Sequence, residues 1–167
     1  SINFSLYTLA AKGNFKEIRR DTELRTFLSL LIISSLMISA CLYFTGTYST
    51  IGDSIRYGFF QAASFSSTTG YALTDYSMWP PFCIAILFML MLVGGGAAST
   101  CGSVKVIRVI VAFKLVVRSI YRRIHPRAIV SVKVGGKTVS AEVAAQITSF
   151  LLTFFVILLI GTLILSL

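Results

Sequence analysis

Asp53-Ser54-Ile55-Arg56-Tyr57-Gly58-Phe59-Phe60-Gln61-Ala62-Ala63-Ser64-Phe65-Ser66-Ser67-Thr68-Thr69-Gly70-Tyr71 is the stretch on which the fold turns. From Asp53 or Ser54 to about Ser66 it suits a helix of about 13 residues, or ~20 Å at 1.5 Å per residue. That helix would hold Arg56, Gln61 and the aromatic run Tyr57, Phe59 and Phe60. It is too short for a ~30 Å hydrocarbon layer, and apolar helices of this length in membrane proteins are often re-entrant. It runs straight into Ser66-Ser67-Thr68-Thr69-Gly70-Tyr71, which has no helical periodicity and reads as extended chain.

The sequence on either side decides that a membrane is the solvent. No Asp, Glu, Lys, Arg or His lies between Arg25 and Asp53, between Asp75 and Lys105, or after Glu142. Each stretch exceeds the roughly 20 residues that span a bilayer core. The chain of 167 residues is 56% hydrophobic and 13% charged, against about 45–50% and about 25% in soluble domains. The net charge of +9 does not point to nucleic acid. Its cations gather at Lys12–Arg25 and Lys105–Lys137, with only Arg56 outside, and only Phe113 and Tyr121 interleave the second run as stacking aromatics. Basic residues beside spans mark the cytoplasmic side, so both runs are expected there.

The first span is expected from about Leu24 to Thr45, capped by Asp21 with Glu23 in the first turn. After Asp75, Trp79-Pro80-Pro81 combines an interfacial aromatic with a helix start. The second span then runs unbroken through Phe82–Val93 and meets ten small residues, Gly94-Gly95-Gly96-Ala97-Ala98-Ser99-Thr100-Cys101-Gly102-Ser103. Adjacent glycines cost a helix about 1 kcal/mol each against Ala, so a break is expected halfway across. Irregular backbone at that depth needs protein or water around it. The alternative is close helix packing through small residues. Beyond the break, Val106, Val109, Ile110, Phe113, Val117, Ile120 and Tyr121 share one face of a helix, and Lys105, Arg108, Arg118 and Arg122 the other. His125-Pro126 ends it, Ile129–Val139 reads as a hairpin about Gly135-Gly136, and Ser140 caps a third span. Cys41, Cys83 and Cys101 have no metal-ligand spacing, and lone His125 suggests no site.

Helix, short helix, extended strand and helix is the plan of a cation pore hairpin. Potassium gives up its water only where oxygens replace it, and rings of backbone carbonyls can do so. Gly70 would let carbonyls turn inward, and the C-terminal end of the short helix is partially negative. Thr-Thr-Gly-Tyr alone is ordinary loop composition; its place between two spans gives it weight.

Further residues fall into one pattern: Asn3-Phe4 with Leu6, Asp21-x-Glu23-Leu24-Arg25, Ser67-Thr68-Thr69-Gly70-Tyr71 and Asp75-Tyr76-Ser77-x-Trp79-Pro80. It continues through Gly94–Ser103 with Lys105 and Arg108, then His125-Pro126-Arg127-Ala128 and Gly135-Gly136. In these the chain resembles the Trk/Ktr/HKT superfamily of potassium transporters, most of all the bacterial TrkH-type translocating subunit. The resemblance implies an all-α integral membrane fold with four non-identical helix–pore helix–filter–helix repeats in one polypeptide, usually paired as a homodimer. Residues 1–23 would be a cytosolic connector, 24–125 the third repeat, 126–140 a small cytosolic hairpin, and 141–167 the first helix of the fourth. The chain would then be an internal piece of a longer protein.

On the same resemblance Ser67, Thr68, Thr69, Gly70 and Tyr71 form a quarter of the selectivity filter, with K⁺ at Thr68, Thr69 and Gly70. Gly94, Gly95, Gly96, Ala97, Ala98, Ser99, Thr100, Cys101, Gly102 and Ser103 form an intramembrane gate loop. Cys101 departs from the family's small or glycine residues, and the family's pore arginine lies in a segment beyond this chain. Potassium is the expected substrate, with no cofactor. The expected partners are the lipid bilayer, the remaining repeats and a cytosolic nucleotide-binding regulatory subunit, in a multi-pass protein of the bacterial inner membrane. The competing functions are a sodium-permeable pathway, a secondary transporter of another solute with its site at a broken helix, and a membrane anchor without transport. A secondary transporter would want ionisable groups at midplane, and the spans carry none. An enzyme is not expected, since the spans hold no paired carboxylates or His/Ser constellation. Nor do Gly96–Gly102 and Lys105 fit the spacing of a phosphate loop.

Overall fold

A computed structural model describes residues 2–13, 15–125 and 132–167. The chain divides into two compact units, Ser1–Val106 and Ile107–Leu167. In the first, α1 (Phe4–Ala11) and α2 (Phe15–Arg20) precede α3 (Thr22–Phe44), α4 (Ile51–Ser66) and α5 (Pro81–Val93). The second contains nearly all of α6 (Val106–Ile124), the two-residue strands β1 (Lys133–Val134) and β2 (Lys137–Thr138), and α7 (Ala141–Leu165).

Among the described residues, α3 and α7 are long and apolar enough to cross a membrane. Helix α3 begins as expected: the Asp21 carboxylate accepts the Leu24 N–H at 2.7 Å, with Glu23 in the first turn. It ends on Gly46 at φ 68°. There the Thr47 N–H bonds to Leu42 O and the Gly46 N–H to Tyr43 O, the paired closure a left-handed residue permits. One stripe of α3 is buried, through Phe27, Ser34, Ser35, Ile38, Ser39 and Leu42.

Helix α4 folds back on that stripe. A Cβ on Gly58 would stand only 3.2 Å from Ser39 N and 3.3 Å from Ser39 Cα. The two backbones therefore approach as closely as small residues allow. Helix α5 closes the packing, with Trp79, Cys83, Leu87 and Leu90 joining Ile38, Leu42 and Ala62 in the core. Tyr48 and Tyr57 stack at 4.8 Å at the end of α3. At 16 residues, α4 measures about 24 Å, shorter than a bilayer core. It starts at Ile51, two residues before the expected Asp53, which instead occupies the first turn.

In the second unit Ser140 caps α7, its hydroxyl accepting from the Val143 N–H at 3.3 Å. β1 and β2 pair antiparallel with Lys133 opposite Thr138 and Val134 opposite Lys137. Their turn places Gly135 at φ 57° and Gly136 at φ 80°, the two positive values this hairpin type requires. The part of the expected 126–140 hairpin that falls at 126–131 lies outside the described residues.

Candidate functional site

The extended chain after α4 is built on a helix end. Thr68 N–H bonds to Phe65 O and Thr69 N–H to Ser64 O, at 3.1 Å each. This is the closure that ends α3, with Thr68 at φ 55° where α3 has Gly46. A β-branched residue in that region is strained by about 1–3 kcal/mol and persists only where its surroundings over-determine it. Gly70 follows at φ 79°, with nothing within 4 Å of where a Cβ would stand. Its need for glycine is therefore conformational rather than steric.

The next links hold the corner to the helix. The Ser64 hydroxyl donates to Tyr71 O at 2.6 Å. The Ser67 hydroxyl donates to Ser64 O at 3.1 Å and shares a 2.5 Å contact with Thr69 Oγ1. Among the described residues, no hydrogen bond is accepted by the carbonyls of Thr68, Thr69 or Gly70. The segment then turns at Asp75, whose carboxylate accepts from the Ser77 hydroxyl at 2.6 Å and the Ser77 N–H at 3.0 Å. Those two bonds hold the Asp75 carboxyl below its usual range.

Helix α5 ends where the small-residue run begins, and the run is a loop rather than a packed helix. Gly94 takes φ 64° and ψ −148°, a region essentially confined to glycine. A Cβ there would overlap the Ser103 side chain. Val104 N–H returns to Leu92 O and Val106 N–H to Gly95 O, both at 3.1 Å. The loop's two ends thus lie side by side, as in a compact Ω-loop.

Three long-range bonds tie this loop down. Glu23 Oε1 accepts the Ala97 N–H at 2.6 Å, Ala98 O accepts the Phe4 N–H at 3.1 Å, and Thr68 Oγ1 accepts the Gly102 N–H at 3.2 Å. From within, the Lys105 ammonium donates to Ser99 O at 2.9 Å and to Cys101 O.

Lys105 and Arg108, expected together on the basic face of α6, have different settings. Lys105 precedes α6 at φ 76°, and its ammonium donates to loop carbonyls. Arg108 lies 4.0 Å over the Phe150 ring. On the expected apolar face of α6, Val106 is buried, while Phe113, Val117, Ile120 and Tyr121 are exposed. Cys41, Cys83 and Cys101 form no disulfide among the described residues. The expected groups 67–71 and 94–103 are thus brought together at one contact, Thr68 with Gly102. Ser64 and the far partner of Glu23 were not legible in advance.

The first unit thus holds a long apolar helix, a short helix folded back on it and a third apolar helix that ends in a small-residue loop. The chain matches the family described as TrkH, cation transport protein, over residues 20–167, and it belongs to that family. It is 35% identical to the Trk system potassium uptake protein TrkG of Escherichia coli (strain K12), over 96% of this chain and 34% of that protein. It is 33% identical to TrkH of Halomonas elongata, over 95% of this chain and 34% of that protein. The crystal structure of the potassium transporter TrkH from Vibrio parahaemolyticus superposes with a TM-score of 0.90 at 30% identity, covering 96% of this chain and 35% of that one. The chain thus spans about a third of the length of the relatives it matches.

Proposed function

We propose that the chain supplies one pore unit of a gated pathway for potassium ions across a bacterial plasma membrane. The observation that carries this reading is the corner after α4, where Thr68 and Gly70 take left-handed conformations and the carbonyls of residues 68–70 accept no hydrogen bond among the described residues. Such carbonyls, contributed by several units, can replace an ion's hydration shell. The partially negative C-terminal end of α4 beside them favours a cation. Potassium as substrate is supported by the relatives, which are potassium uptake proteins; on this reading the protein transports and is not an enzyme.

The loop from Gly94 to Ser103 serves as the gate, since its contact with Thr68 sets it against the filter segment. The remaining repeats complete the pore, a second copy makes the dimer, and a cytosolic nucleotide-binding subunit biases the loop by binding one arrangement better than the other. Both basic runs face the cytoplasm in this multi-pass arrangement. Ion uptake by the full-length protein in liposomes tests the reading. Gly70→Ser is expected to lower preference for K⁺ over Na⁺ while expression is kept. Unchanged selectivity would remove Gly70 from the filter.

A further inference from the structure

Ser64 lies in the last turn of α4 and is 6% exposed. It binds the corner at both ends. Its carbonyl accepts the Thr69 N–H and its hydroxyl donates to Tyr71 O. Between those bonds lies Gly70, flanked upstream by the strained Thr68. The Ser64 carbonyl bond belongs to the helix end and would form with any residue there. The hydroxyl bond is a property of the side chain. Without it, among the described residues, the Tyr71 carbonyl has no other donor, and the Tyr71 ring is 71% exposed.

We propose that Ser64 is a positioning residue for ion selectivity: its hydroxyl, bonded to the Tyr71 carbonyl, fixes the spacing of the carbonyls at Thr68, Thr69 and Gly70. This rests on reading residues 67–71 as the filter. Discrimination between ions of similar charge depends on the number and spacing of carbonyl ligands. A strand pinned at residues 69 and 71 keeps one spacing, whereas a strand free at its outer end adapts to a smaller ion. The Tyr71 carbonyl, already engaged by Ser64, anchors the segment.

The test uses the full-length protein in liposomes and reads the K⁺/Na⁺ permeability ratio of Ser64→Ala, Ser64→Thr and Gly70→Ser beside the parent. Loss of one net hydrogen bond, about 1 kcal/mol, corresponds to a lowering of the ratio by about fivefold in Ser64→Ala. Ser64→Thr, which keeps the hydroxyl, is expected to retain the parental ratio. A parental ratio in Ser64→Ala beside a lowered one in Gly70→Ser overturns the role of Ser64 and leaves the filter standing. Parental ratios in both overturn the filter reading and this proposal with it. Equal losses in Ser64→Ala and Ser64→Thr overturn it too, because shape and not the hydroxyl would then be at work. Should Ser64→Ala fail to reach the membrane, Ser64→Cys replaces the hydroxyl with a weaker donor of similar size, and a parental ratio there overturns the proposal.

Discussion

The Gly102 N–H donates to Thr68 Oγ1 at 3.2 Å, joining the loop that follows α5 to the corner that ends α4. Thr68 is held in a left-handed conformation at the same point. One side chain therefore carries both backbone strain and a link between the two candidate functional segments.

Thr68→Val keeps the branched shape and the backbone cost but removes the acceptor. The Gly102 amide is expected to exchange with solvent about fivefold faster, the equivalent of about 1 kcal/mol. Hydrogen exchange across residues 97–103, with the core of α3 as internal reference, measures it. Unchanged exchange at Gly102 would mean that the contact does not restrain the loop.

Glu23→Ala removes the carboxylate that accepts the Ala97 N–H at 2.6 Å. Bonds to a charged acceptor contribute about 1.5–3 kcal/mol, more than the neutral bond at Gly102. On the proposed gate and regulator, potassium flux through the full-length protein without that regulator should rise by tenfold or more at about 1.5 kcal/mol. Asp21→Ala, which loses a helix cap on the same turn, serves as control and should lower stability without that rise.

Glycines in and around the loop should separate by mechanism. Gly94→Ala faces both a glycine-only conformation and overlap with Ser103, and is expected to lower stability by several kcal/mol. Gly102→Ala meets nothing within 4 Å and should be nearly neutral. Thermal unfolding of the purified protein in detergent compares them, and equal losses would count against the loop geometry.

Removing Ala97–Thr100 deletes the partners of Glu23, Phe4 and one Lys105 bond. It spares Gly94 and the closing bonds of Val104 and Val106. On the proposed gate, flux through the full-length protein is expected to rise and depend less on the proposed regulator, with ion preference kept. A folded deletion protein with lower flux would make the segment a packing element and place the gate elsewhere.

Single cysteines in Lys12–Arg25 and Lys133–Lys137, in a background lacking the native thiols, should label only from the cytoplasm. One at Tyr76 should label only from outside. Labelling of the two basic runs from opposite sides would exclude the pore-hairpin topology.

What the sequence determined by itself is local. The α3 span follows from an uncharged apolar run with Asp21 before it and Gly46 after it. The α7 cap at Ser140 and the Gly135-Gly136 turn follow from side chains and φ preferences acting within a few residues. The break after Val93 was legible for the same reason, because glycine's cost in a helix needs no distant partner. Tertiary structure alone decided which groups hold the irregular segments. Nothing within a turn of Glu23 marks Ala97, 74 residues away, as its donor. Lys105 reads as another cation on a basic face until the loop closes and brings the carbonyls of Ser99 and Cys101 to its ammonium. Thr68 adopts a conformation its β-branched side chain resists, because the Ser64 and Phe65 carbonyls and the Gly102 amide together outweigh the local preference. Backbone groups in irregular chain must find partners, and folding rather than sequence proximity chooses them.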